Sequence, residues 1–257
     1  YYALDSYDKK KDEYTLSALN PDLGTDYLGY SPGSKKVGSS LYLEASLSYD
    51  RTFVEKHNVS GMLVYTVREG KSGNENTLQK SLPTRNLGLA GRFTYGFSDR
   101  YFAEFNFGYN GSERFDKSHR WGFFPSASVG WRISEENFWS VLKPYVPSLK
   151  IRGSWGLVGN NRIGAYQYMQ TVSVKNGISF GDKLAQTAEF ASTNPDLKWE
   201  TTRMANIGFE LGLLNNDLNI TFDCFNNRTK DILVNLPVPG LFGNGAPIQN
   251  AGKVETR

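Results

Sequence analysis

The chain has 257 residues, is 14% aromatic with 26 glycines, and carries a formal net charge of only +3. That balance supplies no basic block to track phosphates, which excludes nucleic acid as a partner, and no run approaches the roughly 18 apolar residues of a spanning helix. The mean hydropathy of −0.48 is also what a polar-lined barrel with long polar loops averages to, so it does not argue for a soluble protein.

In chain order, residues 1–40 read as a variable external loop, rich in polar and turn residues, and any export signal is expected to lie outside this segment. From Leu41 the chain alternates. Leu41, Leu43, Ala45, Leu47 and Tyr49 share one parity, as do Val59 to Val67, Leu87 to Phe97 and Tyr101 to Tyr109, without a charge among them. The opposite parity holds Glu44, Asp50, Arg68, Arg92, Glu104, Arg132, Lys150, Arg152, Glu200, Glu210 and Asp223. A period of two with charge sorted to one face is a β-strand signature, and a wall dividing lipid from lumen sorts charge this way. Eight spans follow: 41–53, 57–68, 86–97, 101–109, 121–133, 149–157, 198–213 and 218–229. A strand of about 12 residues at about 3.3 Å each, tilted by about 40°, rises about 30 Å, enough to cross a bilayer's apolar band.

Connections alternate in length. Residues 54–56, 98–100 and 214–217 are tight turns, whereas 1–40, 69–85, 110–120, 158–197 and 230–257 are long and rich in Gly, Asn and Ser. Short turns belong on the periplasmic side of an outer-membrane barrel and long loops outside. On the short-turn side, residues 134–148 read as a short interfacial helix, with Ser134 as N-cap, acids in the first turn and Pro144 and Pro147 as the stop. Tyr49, Phe53, Phe97, Tyr101, Trp121, Phe123, Trp131 and Trp199 stand near strand ends, where an aromatic girdle meets the headgroups. Arg203 reads as the one charge on the outward parity, near enough to a loop to snorkel.

The sequence offers no catalytic residue: no Gly-X-Ser-X-Gly elbow frames a serine, and the glycine-rich stretch 156–164 lacks the Gly-Lys-Ser/Thr ending of a phosphate loop. His57 and His119 have no neighbours at metal-ligand spacing, and Cys224, the single cysteine, falls on an apolar face, so neither a metal nor a cofactor is expected. Glu44, Arg92, Glu104, Arg132, Arg152, Glu200, Glu210 and Asp223 read as lumen-facing charges. Ligand contact falls to loop side chains that can stack on a ring and hydrogen-bond its edges. Asn160, Asn161, Arg162, Tyr166 and Tyr168 are the residues expected to touch cargo or a lid, with Tyr27, Tyr30, Phe180 and Phe190 as further loop aromatics.

Several phrases go beyond generic barrel grammar. Asp99-Arg100-Tyr101, Gly111-Ser112-Glu113-Arg114-Phe115, Trp121-Gly122-Phe123-Phe124-Pro125, Val129-Gly130-Trp131-Arg132, Ile151-Arg152-Gly153-Ser154-Trp155-Gly156 and Asn194-Pro195-Asp196-Leu197-Lys198-Trp199-Glu200 stand in an order that resembles the SusC/RagA family of TonB-linked outer-membrane transporters of Bacteroidota. The resemblance covers about residues 41–257. It implies an all-β transmembrane barrel of about 22 strands filled by a plug, of which residues 1–257 would be part, with the plug, the TonB-contacting segment and the final strands absent. It further implies a non-enzymatic importer of oligosaccharides or peptides, working with a SusD-like surface lipoprotein and powered by the TonB complex. A passive porin-type channel and an outer-membrane barrel enzyme are the alternatives that barrel grammar alone permits.

Overall fold

The computed structural model describes the backbone of residues 2–19, 33–180, 183–243 and 245–257, and their side chains except those of 173–189 and 242. Tyr27 and Tyr30 lie outside the described residues, as does the side chain of Phe180. The chain forms two units, residues 1–36 and 37–257.

In the first unit, β1 (Tyr2–Asp8) and β2 (Glu13–Ala18) pair as an antiparallel hairpin where only loop was expected. Its tip is fixed locally: Asp8 accepts the Lys10 N–H at 2.9 Å, the Tyr7 hydroxyl donates to Asp12 at 2.7 Å, and the Tyr7 and Tyr14 rings stack at 4.6 Å.

The second unit is built on a nine-stranded antiparallel sheet. Its strands are β3 (Gly38–Phe53), β4 (His57–Ser72), β5 (Thr84–Phe97), β6 (Tyr101–Ser112), β7 (Trp121–Arg132), β8 (Ser148–Asn160), β11 (Glu200–Leu213), β12 (Leu218–Asn235) and β13 (Ile248–Thr256), each beside its predecessor in that series. Between β8 and β11 the chain leaves the sheet for a separate hairpin of β9 (Val172–Phe180) and β10 (Lys183–Phe190), so the connection expected to lack regular structure has a strand pair of its own. All eight expected spans form, most extended at the loop end. The ninth strand, β13, was hidden in a presumed loop because its pairing with β12 shifts twice around Asp231, which sits at φ +59°. A bulge of that kind breaks the period of two.

Register carries the sorting across the sheet. Phe105 faces Phe93 and Ala127, Val129 faces Ala103 and Gly153, and Ile207 faces Gly153 and Cys224, so the apolar parity is continuous from strand to strand. Leu43, Leu63, Leu89, Phe105, Val129, Ile207 and Ile220 are all exposed, Val129 and Ile207 by more than 60%. The polar parity lines the concave side, where Asp50, Ser60, Thr94, Glu104, Ser128 and Arg152 border a space of about 630 Å³. The sheet thus curls with its charges inside. Two corrections apply to the outward parity: Arg51 and Arg228 also lie on it, and β13 adds Glu255 beside Arg228.

At the short-turn end, an aromatic row crosses four strands: the His57 and Phe97 rings lie 4.9 Å apart, Phe97 and Tyr101 6.3 Å, and Tyr101 and Trp131 6.3 Å. The expected interfacial helix is absent. Residues Ile133–Glu135 and Asn137–Val141 make 3₁₀ turns, and Ser134, buried with its hydroxyl unpaired, caps neither. The acids of this stretch serve other partners. Glu136 accepts from the Tyr101 hydroxyl at 2.5 Å, the Trp131 indole at 3.1 Å and Arg100 at 3.4 Å, a hub that ties the connection to the strand ends instead of to a helix terminus. These donors favour the ionised form, with Tyr101 the largest influence, and hold the Glu136 carboxyl below its ordinary range.

The buried core lies in the loops at the opposite end. Phe115, Ile163 and Leu197, each at most 7% exposed, come together from three connections, and Tyr168, Trp199, Leu233 and Ile248 pack around them.

Candidate functional site: the lumenal wall and its loop-built mouth

The lumen-facing charges fall into groups. Arg92 pairs with Glu104 at 2.9 Å, and Asn106 donates to the same carboxylate at 2.7 Å. Arg152 stands between Asp223 at 2.7 Å and Glu210 at 3.3 Å. Arg132 and Lys150 both lie over the Phe102 ring, at 5.5 and 5.6 Å from its centroid. Glu44 accepts from the Tyr42 hydroxyl, while Arg68 covers the Tyr42 ring at 5.2 Å. Glu200 heads β11 opposite Asn160. Most of these ions are therefore held by neighbours on the wall, which fixes them as a lattice of paired charge and polar edges. Among the described residues no three His, Cys, Asp or Glu side chains converge as a metal site.

The mouth is made by loops that are locked together. Arg114 donates to the carbonyls of Asn161 at 3.2 Å and Ile163 at 2.6 Å, and Asn161 donates to Ser112 at 3.1 Å. Asn250 accepts the Lys198 N–H at 3.0 Å and donates to the Lys198 carbonyl at 2.8 Å and the Asp231 carbonyl at 2.7 Å, while the Lys198 ammonium pairs with Asp231 at 3.1 Å. Asn194 donates to the Ile248 carbonyl at 3.2 Å. The two distinctive phrases Ser112 to Phe115 and Asn194 to Trp199 thus serve as loop latches. Trp199 itself is not a girdle residue. Its ring lies 5.4 Å from Phe115 and 5.3 Å from Phe124, and its indole N–H donates to the Arg120 carbonyl at 3.2 Å, inside the mouth.

Of the five loop residues expected at a ligand, Asn160 and Arg162 are exposed, and Asn160 accepts the Arg162 N–H at 3.0 Å. Asn161 is half-buried in the latch just described, and Tyr168 is half-buried against the loop core. Tyr166 is 8% exposed and sits at φ +57°. Its hydroxyl reaches both the Pro83 carbonyl and, at 3.0 Å, the Glu113 carboxylate. Burial first, then Glu113, pushes its pKa up to about 12. Tyr166 therefore shapes the loop that presents the others.

The parity pattern also held a group that sequence reading did not assemble. Tyr42, Arg68, Asn86, Asn110, Asn161 and Trp199 border a recess of about 330 Å³ at the lumen's mouth. The first four share lumenal parity at strand ends next to long loops, which was the available signal. An aromatic floor beside amides and a guanidinium suits a polar ligand with rings or peptide groups.

A sorted, curling antiparallel sheet with tight turns at one end and latched loops at the other defines a wall segment of an outer-membrane-type β-barrel. A family model described as "TonB dependent receptor-like, beta-barrel" matches residues 1–257, and the chain belongs to that family, which is not enzymatic. Similar curated proteins include TonB-dependent receptor P39 of Formosa agariphila, 30% identical over 83% of this chain and 22% of that protein, and TonB-dependent receptor SusC of Bacteroides thetaiotaomicron, 35% identical over 69% of this chain and 18% of that protein. Among solved structures, the RagAB peptide importer in its closed-closed state superposes with a TM-score of 0.70 at 24% identity, over 86% of this chain and 27% of that one. The chain, a SusC/RagA-type barrel fragment, spans about a fifth of the curated relatives' length.

Proposed function

We propose that the protein to which these residues belong is a TonB-dependent importer of the outer membrane. It takes up oligosaccharides or peptides together with a SusD-like surface lipoprotein. This segment supplies barrel wall, lumenal charge lattice and part of the external mouth. The observation that carries the reading is the sheet's division into an apolar outward face and a charged concave face, ending in latched loops around an aromatic and amide recess. RagAB, the peptide importer of similar fold, supports a peptide as one class of cargo. Asn160, Arg162 and Tyr168 are the loop residues best placed to meet cargo or lid, and Tyr42 and Trp199 line the recess beneath.

The test uses the full-length transporter in its own cells, with uptake of labelled oligosaccharide and peptide pools measured in the presence and absence of a working TonB complex. Uptake that vanishes with TonB is expected. Uptake that persists would replace the importer with a passive channel, and a transporter that co-purifies with no surface lipoprotein would remove the lid from the proposal.

A further inference from the structure

The outward face is not uniformly free of ions, and where it carries them the two ends of the sheet differ. On β4 and β5 the loop-end charges cancel: Glu69 pairs with Lys71 at 2.6 Å and Arg85 at 3.0 Å, and Arg85 reaches Glu113 at 3.5 Å. On β11 to β13 they do not. Arg203 lies directly opposite Arg228 in register, a like-charge cross-strand pair that destabilises a sheet unless an anion intervenes. Lys230 follows on the same parity, and Lys253 falls on it by alternation from Glu255. Among the described residues, the one carboxylate paired with any member of this group is Glu255. Glu255 binds Arg228 at 3.2 Å and Arg257 at 3.0 Å and also accepts from Asn226 at 3.0 Å, while Arg203 has no carboxylate partner among the described residues.

Height matters as well. Arg203 is about ten residues above the turn that closes β11, and at about 3.3 Å per residue and about 40° of tilt it stands about 25 Å up the wall, the full height of an apolar band. The cations begin where the hydrocarbon ends. A guanidinium pair at that level matches the bidentate, charge-assisted geometry that phosphate oxygens accept.

We propose that the outward patch of Arg203, Arg228, Lys230 and Lys253 binds the phosphate of an outer-leaflet glycolipid of the lipid A class, seating it against the apolar wall beneath. The inference rests on the reading of this sheet as outer-membrane wall, but not on cargo or TonB.

The full-length transporter, purified in a phosphate-free detergent, is titrated with lipid A, with dephosphorylated lipid A and with inorganic phosphate, and its thermal midpoint is followed. Lipid A should raise the midpoint of the unaltered protein, with little effect from the other two. In the R203Q/R228Q variant the half-effect concentration should rise by about tenfold or more, whereas R203K/R228K, which keeps the charge but loses the bidentate fork, should fall between that variant and the parent. Cargo uptake should be unchanged in both variants, which separates this result from a failure of the importer reading. Equal responses to lipid A and its dephosphorylated form would reduce the patch to apolar contact. An equal response to inorganic phosphate would make it a free-anion site, and a glutamine variant that responds like the parent would overturn the assignment. If the double glutamine variant fails to fold, R203Q alone, which breaks no ion pair among the described residues, is read in its place, and a half-effect concentration equal to the parent's would overturn the assignment.

Discussion

Tyr166 is held in its loop by burial and by its hydroxyl together. Its ring is buried, its backbone is left-handed, and two acceptors, Pro83 and Glu113, share its single proton. Tyr166→Phe leaves both without that donor and should destabilise the 161–171 loop by about 1–2 kcal/mol, read as faster amide exchange there with barrel melting unchanged. Because its folded pKa is raised from 10.0 to about 12, its contribution is fully present below about pH 10 and is lost as pH rises through about 12. Glu136 works in the opposite sense. Its carboxyl is held below the ordinary 4.5, so its contribution is present above that value and is lost as pH falls beneath it. Glu136→Gln should flatten the acid limb of a pH–stability curve for the full-length barrel, and an unchanged limb would deny the Tyr101–Trp131–Arg100 hub any role.

Among the elements, the tight turns vary in quality. The β3–β4 turn places Val54 and Glu55 at φ +49° and +54°, whereas the β5–β6 turn uses Ser98 and Asp99 at +51° and +53°. A β-branched residue is the poorest choice for that region and Asp among the better ones. Val54→Asn should therefore raise resistance to urea by about 1 kcal/mol, an effect that the same substitution at Ser98 should fall well short of. The eight spans were legible because alternation and charge sorting reinforce each other over a dozen residues. Others were not, for physical reasons. The bulge at Asp231 disguised β13, and the core residues Phe115, Ile163 and Leu197 are single apolar side chains in polar loops, far apart in sequence and without a period. The 133–141 turns imitate a capped helix in composition, but their acid is drawn to Tyr101 and Trp131. In the mouth, the exposed Asn160 and Arg162 were readable as loop polar residues, while the role of Trp199 needed Phe115 and Phe124 to be in place.

For the molecule as a whole, the decisive division is between the two faces of the sheet. Phe105 is exposed on the apolar side, and its neighbour Asn106 donates to Glu104 on the charged side. Arg at Phe105 should cost roughly 2–4 kcal/mol in a bilayer, and Arg at Asn106 far less, since Glu104 is there to receive it. Equal loss of folded barrel from the two changes would void the lipid-facing assignment.

Order of assembly follows from the excursion between β8 and β11. Every other neighbouring pair in the sheet closes over a shorter connection, but joining these two spans about forty residues, which adds about 2 kcal/mol of closure entropy relative to a three-residue turn. The sheet should consequently zip as two blocks, β3 to β8 and β11 to β13, each by successive hairpins, with their docking as the slow event. Phe115 belongs to the first block, Ile163 to the connection and Leu197 to the approach to the second. The loop core thus acts as the clasp on which barrel growth waits, and Phe115→Ala should slow the final refolding phase while leaving the earlier ones alone.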